Sequence, residues 1–251
     1  MALLTCDFFS ESLMMGTSVT VVLPQATEEQ IGLVDQPLDG PPPVLYLLHG
    51  LSDDHTAWTR YTSIERYAAA RGLAVVMPAV GRSFYANEAL GHRYWDYVSE
   101  ELPRVVGQLF RVSQAREDTF VAGLSMGGYG ALKHALTHPG RYAAAASLSG
   151  VADVAALVSD LPRPEIVARV FGGEITPADD LFELLAVAEG VPPLYISCGT
   201  EEEVLLAQNT RLVEAARARG VDVTTDFRPG THEWPLWDAV IQDVIAWLPV
   251  R

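Results

Sequence analysis

A Gly-x-Ser-x-Gly pentapeptide at residues 123–127 is the first candidate for chemistry, with Ser125 at its centre. The apolar run at 119–122 precedes it, and a helix-forming stretch rich in glycine, alanine and leucine follows it. A serine between a strand and a helix lies on a sharp turn that lifts its hydroxyl clear of the backbone and toward the positive end of the helix. The pattern therefore predicts Ser125 as the nucleophile of an acyl-transfer reaction.

A serine hydroxyl is a weak nucleophile, so it needs a histidine as base and an acid that orients the histidine. Of the six histidines, only His232 lies after the last predicted strand and before the last predicted helix. His134 and His138 have the i, i+4 spacing of a helical metal pair, but the sequence offers no third ligand. We predict His232 as the base, the other two on the outer face of a helix, and no metal site.

The acid is expected after the predicted strand at 194–197, where residues 199–203 read Gly-Thr-Glu-Glu-Glu and contain no aspartate. Glu202 is the first choice and Glu203 the second, because both fall at the strand-to-helix corner. A glutamate can accept the imidazole N–H and hold the required tautomer. Acidic residues at a helix start also stabilise the helix dipole, so that role stays open for the same glutamates.

The backbone donors that would stabilise an oxyanion are predicted at two positions. The sequence His49-Gly50-Leu51 ends an apolar strand at 44–48, and Met126 follows the predicted nucleophile. The N–H groups of Leu51 and Met126 are expected to form the oxyanion hole. His49 is expected to brace the loop through hydrogen bonds and not to act as a base.

Elements of strand and helix length alternate along the chain, with turn residues between them. The middle apolar runs are continuous, as in parallel strands covered on both faces. This order predicts an α/β fold with one doubly wound, mostly parallel central sheet and helices on both faces. Predicted strands are 18–23 (in a hairpin with 12–15), 44–48, 73–77, 119–122, 143–148, 194–197 and 223–227; predicted helices are about 59–71, 97–111, 127–138, 204–219 and 236–248.

Residues 151–190 do not fit this alternation, because they separate two core strands by far more than one crossover needs. They also carry several prolines and a Gly-Gly pair. We predict a small cap insertion over the carboxyl ends of the strands, with a pair of ordinary surface helices as the alternative. Since the nucleophile, acid, base and oxyanion loop must converge on one sheet, residues 1–251 are predicted to form a single domain.

The composition excludes several function classes. Seventeen basic against 32 acidic residues give a net charge of −15, and Lys133 is the only lysine. Such a surface repels phosphate backbones and anionic lipid, so no nucleic-acid or membrane partner is expected. Two cysteines form no disulfide framework or zinc motif, and neither a signal peptide nor a membrane-spanning run is evident. We expect a cytoplasmic protein.

Four separated motifs resemble the esterase D/putative esterase family, from about residue 5 to residue 248: residues 49–68, 123–132, 198–209 and 231–237. The nearest branch resembles the small tributyrin esterases, with S-formylglutathione hydrolases and feruloyl or acetyl-xylan esterases as relatives. The resemblance implies a serine carboxylesterase of α/β-hydrolase fold that cleaves short acyl esters without a cofactor and can form homo-oligomers.

The resemblance also assigns roles to single residues. Glu202 lies three residues after Gly199, where the family usually has an aspartate, so it falls on the acid. The aromatic stretches look like the family's pocket walls, with aromatic core as the equal alternative. The implied set is the nucleophile Ser125, the base His232, the oxyanion positions Leu51 and Met126, and the pocket residues Trp58, Tyr94, Trp95 and Trp234.

These observations predict hydrolysis of a small-molecule ester through an acyl-enzyme. Three alternatives use the same fold: a thioesterase of the S-formylglutathione hydrolase type, an acyltransferase, and a non-catalytic binding protein. Residues 151–190 hold eight acidic residues and two arginines, a charge of 2 − 8 = −6 on the predicted cap. This charge, and the lack of a cationic cluster in the sequence, favour neutral short-chain esters over anionic substrates.

Overall fold

The computed structural model describes residues 1–25, 27, 31 and 40–250. Within these residues, eight strands form one sheet in the order β1-β2-β4-β3-β5-β6-β7-β8. The first two strands run antiparallel to their neighbours, and the pairs from β4 onward are parallel. The strands are β1 (Ala2–Ser10), β2 (Met15–Leu23), β3 (Val44–Leu48), β4 (Ala74–Pro78), β5 (Thr119–Leu124), β6 (Ala144–Leu148), β7 (Leu194–Gly199) and β8 (Val223–Arg228).

The helices lie on both faces of this sheet and form two apolar clusters with it, as the sequence predicts. Strands β3 to β7 are buried along their whole length, which explains their continuous apolar runs. The α-helices are α1 (Ala57–Tyr61), α2 (Ile64–Ala69), α3 (Tyr94–Asp96), α4 (Leu102–Leu109), α5 (Met126–Thr137), α6 (Pro164–Phe171), α7 (Leu181–Val187), α8 (Glu203–Ala218) and α9 (Trp234–Trp247).

The N-terminal hairpin differs from the predicted one. Its first strand is β1 and not 12–15, and the chain turns at residues 11–14. The sequence pattern does not reveal this strand, because β1 is an edge strand with mostly exposed side chains and lacks a continuous apolar run.

Two predicted helices also have other boundaries. The predicted helix at 59–71 is divided into α1 and α2. The predicted helix at 97–111 starts earlier, at α3, and passes through a π-helical turn, Tyr97–Glu101, into α4. Pro103 has no N–H to donate back along this helix, and the Arg141 guanidinium instead donates to the carbonyl oxygen of Ser99.

The 151–190 segment contains a short 3-10 turn, Val154–Leu157, followed by α6 and α7. Its second half is attached to α5 by a buried ion pair: Lys133 Nζ lies 2.7 Å from Asp179 Oδ1. The Tyr129 hydroxyl also donates to the carbonyl oxygen of Asp179 at 2.8 Å. The segment is therefore tied directly to the helix that follows Ser125.

Among the described residues, no helix is long and apolar enough to cross a lipid bilayer. Nor does this part of the chain bring together three or more His, Cys, Asp or Glu side chains that could hold a metal ion.

Candidate active site

Ser125 stands between β5 and α5 in a strained conformation. Its φ of 53° and ψ of −117° are rare for a residue with a side chain. The close packing around it requires glycine on both sides. A Cβ on Gly127 would lie 2.4 Å from the carbonyl oxygen of Leu48, and one on Gly123 would lie 2.4 Å from that of Gly127. The pentapeptide glycines therefore allow the strand–turn–helix corner to close.

His232 lies in the loop between β8 and α9, with both ring nitrogens engaged. Its Nε2 is 2.9 Å from Ser125 Oγ, and its Nδ1 is 2.5 Å from Glu202 Oε2. Because a carboxylate only accepts, Nδ1 carries the proton and Nε2 presents a lone pair to the serine. The edge of the Trp237 ring packs against the imidazole with 4.8 Å between ring centroids. One imidazole thus links the Ser125 hydroxyl to the Glu202 carboxylate.

Glu202 has a buried side chain although it lies among two exposed glutamates. Its Oε1 accepts hydrogen bonds from Ser149 Oγ at 2.6 Å and from the Gly199 N–H at 2.9 Å. Burial raises the pKa of this carboxyl group, but the hydrogen bonds from His232, Ser149 and Gly199 outweigh it and hold the pKa below its usual value. The group is therefore kept ionised beside the imidazole.

Glu203, the second choice as acid, begins α8 and is exposed. It is Glu202 that contacts His232. A Cβ on Gly199 would lie 2.8 Å from Glu202 Oε1 and 2.2 Å from the carbonyl oxygen of Gly230. The absence of a side chain at Gly199 thus lets the carboxylate fold back under the loop that carries His232.

The loop after β3 is braced by His49, which is buried. The Val80 N–H donates to His49 Nε2 at 3.1 Å, so the proton resides on Nδ1 and is donated to the carbonyl oxygen of Gly50 at 2.7 Å. Burial lowers the pKa of His49 to about 4, so the ring stays neutral near neutral pH. The Tyr85 hydroxyl also donates to the His49 carbonyl oxygen at 2.9 Å. Leu51, in this loop, lines the same cavity as Ser125 and Met126.

Ser125 and His232 open into a cavity of about 1370 Å³. Two arginines and several carboxylates line it together with a larger apolar set. Leu157, Leu161 and Arg163 bring the first half of the 151–190 segment to its wall. The rest of the wall includes Arg82, Phe84, Glu201, Glu203, Glu233, Trp234 and Trp237.

Of the three tryptophans predicted to line the pocket, only Trp234 is found at the cavity. Trp58 is 1% exposed and belongs to the core, where its Nε1–H donates to the Leu48 carbonyl oxygen at 3.2 Å. Trp95 stacks on His134 and His138 toward the C-terminal end of α5, away from the nucleophile. Tyr94 does not line the cavity either. Sequence alone could not separate cavity wall from core, because both favour aromatic rings.

Three further expectations need correction. His134 is buried, and not on an exposed outer face of α5, since the Trp95 ring of α3 stacks on it with 4.6 Å between ring centroids. The sequence shows no cationic cluster, yet folding brings Arg82 and Arg163 to one cavity. Phe84 and Trp237 line the cavity without having been predicted; Trp237 stands inside the 231–237 motif, whereas Phe84 carries no signal in the sequence.

At the carboxyl edge of the parallel sheet, a serine at a strand–turn–helix corner is hydrogen-bonded to a histidine, and the histidine is hydrogen-bonded to a carboxylate. This arrangement defines a serine hydrolase of the α/β-hydrolase type. The family model described as Putative esterase matches residues 10–248, and the chain belongs to that family. It is a carboxylic ester hydrolase.

Similar proteins support this class. An acetyl esterase from Caldicellulosiruptor saccharolyticus is 27% identical over 99% of this chain and 98% of its own length. Two solved structures from Staphylococcus aureus are each 36% identical and cover 98% of both chains. They are the fluorophosphonate-binding serine hydrolase FphF, with a TM-score of 0.88, and the S-formylglutathione hydrolase FrmB, with a TM-score of 0.85.

Proposed function

We propose that this protein hydrolyses neutral, short-chain acyl esters through an acyl-enzyme formed on Ser125. The observation that carries the proposal is the continuous hydrogen-bonded chain from Ser125 Oγ to His232 at 2.9 Å and from His232 to Glu202 at 2.5 Å, open to a cavity at its serine end. Nucleophile, base and orienting acid are the three groups that such a reaction needs.

In the first half of the reaction, His232 Nε2 accepts the Ser125 proton while Oγ attacks the ester carbonyl carbon. The imidazolium that forms is stabilised by the Glu202 carboxylate. It then protonates the leaving alcohol as the C–O bond breaks, and the acyl group stays on Ser125. In the second half, water gives a proton to Nε2 as its oxygen attacks the acyl carbon. The acyl–Oγ bond then breaks, Nε2 returns the proton to Ser125 Oγ, and the carboxylic acid is released.

The backbone N–H groups of Leu51 and Met126 are proposed to bind the oxyanion. Met126 is the first residue of α5, so its N–H has no partner within the helix. Leu51 lines the same cavity from the loop that His49 braces. Donors fixed in this way stabilise the developing charge without reorganising during the reaction.

The proposed substrate class follows from the cavity wall and the relatives. Glu233 follows His232 in the chain, and Glu201 and Glu203 flank Glu202, which contacts His232. All three line the cavity into which the leaving alcohol would depart. Carboxylates in this position disfavour an anionic leaving group. The apolar remainder of the wall suits an uncharged acyl chain, and the C. saccharolyticus relative is named an acetyl esterase.

A thioesterase of the S-formylglutathione hydrolase type is the second candidate. Arg82 and Arg163 could bind a carboxylate in the cavity, and FrmB carries that activity in its name. Against this, Arg82 already pairs with Glu165 at 3.4 Å, and both side chains of the pair are about half exposed. Solvent at this exposed position also screens the Arg82 charge, so its attraction for a substrate carboxylate is small.

The decisive experiment combines labelling and turnover. We expect a fluorophosphonate probe to label the wild-type protein but not Ser125→Ala, and p-nitrophenyl acetate turnover to be lost in the variant. Full turnover by Ser125→Ala would refute the mechanism, and an unlabelled, inactive wild type would favour a binding protein.

A substrate comparison then separates the remaining candidates. A series of p-nitrophenyl esters should show highest kcat/KM for short acyl chains. S-formylglutathione hydrolysed faster than these esters would establish the thioesterase. A new ester formed from a competing alcohol would establish an acyltransferase.

A further inference from the structure

Ser149 follows β6 and, like Ser125, has a positive φ. Its φ is 47°, and its side chain is buried. The neighbouring strand fixes it, since its N–H donates to the Ser197 carbonyl oxygen at 2.8 Å. Glycine would adopt this φ without strain. A strained serine where glycine would fit better indicates that the hydroxyl group has a role.

The direction of the hydrogen bonds at Ser149 follows from the chemistry of its partners. The Trp237 Nε1–H can only donate, and it lies 3.1 Å from Ser149 Oγ. Ser149 Oγ is therefore the acceptor of this bond. Its own proton is directed at Glu202 Oε1, 2.6 Å away. The result is a one-way chain from the indole through the hydroxyl to the carboxylate.

This chain divides the two oxygens of Glu202 between two tasks. Oε1 is held by Ser149 and by the Gly199 N–H at 2.9 Å, and the Cys198 thiol lies 3.8 Å from it. Oε2 is left for His232 Nδ1. Fixing one oxygen sets the rotation of the carboxylate, and so determines where the other oxygen meets the imidazole.

Trp237 contacts the base as well as Ser149. Its ring packs edge-on against His232, with an interplanar angle of 86°. One side chain thus touches the base through its ring, and reaches the acid through Ser149. The ring and the hydroxyl together limit the movement of the acid–base pair relative to Ser125.

We propose that Ser149 is a positioning residue of this esterase, which holds Glu202 by a hydrogen bond that Trp237 orients, and so aligns His232 with Ser125. The proposal rests on the proposed function, since it assigns Ser149 a part in the same reaction. In this role, neither Ser149 nor Trp237 touches the reacting atoms of the substrate.

The test compares Ser149→Ala with Ser149→Gly. Both remove the hydroxyl, but the glycine variant also removes the backbone strain. We expect kcat to fall about tenfold or more in both variants with little change in KM, because a hydrogen bond to a charged positioning group is lost. If Ser149→Gly retained wild-type kcat, the hydroxyl would have no positioning role and the proposal would be overturned.

The matched control is Ser147→Ala. Ser147 is a buried serine on β6 whose hydroxyl has no hydrogen-bond partner among the described residues. Its loss should leave kcat unchanged.

The Trp237 indole is tested separately. Trp237→Phe keeps a ring beside His232 but removes the donor to Ser149, and we expect a smaller fall in kcat than in the Ser149 variants. Trp247→Phe on the same helix, which packs against Tyr195, is its control.

The pH profile distinguishes positioning from a loss of fold. A carboxylate without the Ser149 donor is more basic, so it stabilises the His232 imidazolium and moves the acid limb of the kcat/KM profile to higher pH. The charged and titratable groups around this pair are Cys198, whose pKa burial raises so that it stays a thiol, and the side chains that line the same cavity, namely Asp53, Arg82, Arg163, Glu201, Glu203 and Glu233. Loss of stability alone would lower the amount of active enzyme without moving this limb.

A measurement without substrate keeps the proposal separate from the esterase reaction. The Nδ1 proton shared by His232 and Glu202 should give a downfield proton NMR signal, assigned by its loss in His232→Asn. We expect this signal to shift in Ser149→Ala and Ser149→Gly but not in Ser147→Ala. An unshifted signal overturns the positioning role even if the enzyme is active. A shifted signal in a protein without esterase activity upholds the positioning and refutes the proposed function.

Discussion

The nucleophile corner, where β5 meets α5, and the acid–base corner, at the ends of β7 and β8, are built in different ways. At the first, backbone contacts hold Ser125. A Cβ added at Gly123 or at Gly127 would lie only 2.4 Å from a backbone carbonyl oxygen, so this packing requires glycine. At the second, side-chain hydrogen bonds hold Glu202 and His232, and the His232 side chain is 41% exposed. The difference suggests that sterics fix the position of the nucleophile, whereas polar contacts fix the orientation of the base.

The largest effect is expected from Gly127→Ala, which tests the steric corner. The added Cβ would collide with the carbonyl oxygens of Leu48 and His49 at 2.4 and 2.7 Å, so the start of α5 must move away from the end of β3. We expect turnover to be abolished and the free energy of unfolding to fall by about 3 kcal/mol or more. Denaturant titration measures the free energy of unfolding, and p-nitrophenyl acetate hydrolysis measures turnover.

Gly140→Ala is the matched control, because a Cβ added at Gly140 would meet no atom within 4 Å. A stable, active Gly127→Ala variant would contradict the view that backbone contact fixes the nucleophile.

A smaller but still large effect is expected from Glu202→Gln, which tests the polar corner. The amide keeps the shape of the carboxyl group but can no longer stabilise the imidazolium, so kcat should fall by roughly 10²–10⁴-fold. The fold should remain intact by circular dichroism.

Glu203→Gln provides the comparison within the same corner. Glu203 is exposed at the start of α8, and we expect its variant to keep nearly full activity. If Glu203→Gln were inactive and Glu202→Gln were active, the assignment of the acid would be reversed.

The smallest effect on turnover is expected from the pH dependence of stability. Here His49, in the loop after β3, and Glu202, at the acid–base corner, should respond over different pH windows. Burial lowers the pKa of His49 to about 4 from an ordinary value of 6.5. The unfolded chain therefore binds a proton at this site between about pH 6.5 and 4 while the folded chain does not, and stability falls as the pH falls through this window. The contribution is about 3 kcal/mol when the window is fully crossed.

Glu202 responds at lower pH. Its pKa is held below the ordinary value of 4.5, so its stabilising contribution is present above that value and is lost on acidification through the folded-state pKa.

The His49 prediction is tested by unfolding free energies measured between pH 4 and 7, which should depend less steeply on pH in His49→Gln than in the wild type. Equal slopes would show that His49 is not held neutral by burial.

Much of this protein could be predicted from local sequence. The pentapeptide around Ser125 predicts the strand–turn–helix corner, because the serine and the glycines that the corner requires are adjacent in the chain. The order of strands and helices followed from continuous apolar runs, which parallel strands require. The edge strand β1 contains no such run, and the proline in α4 disturbs a helix whose period is otherwise regular.

The sequence by itself determined which residue types could act, and in what order they occur. Only the tertiary structure decided which of three neighbouring glutamates meets His232, that Trp58 and Trp95 pack away from the cavity, and that Arg82 and Arg163 share it. Ser149 belongs to the same group, since nothing near it in the chain indicates a carboxylate partner 53 residues away. The physical reason is that a motif records contacts between chain neighbours, whereas these contacts join separate strands whose spacing depends on the packing of the whole sheet.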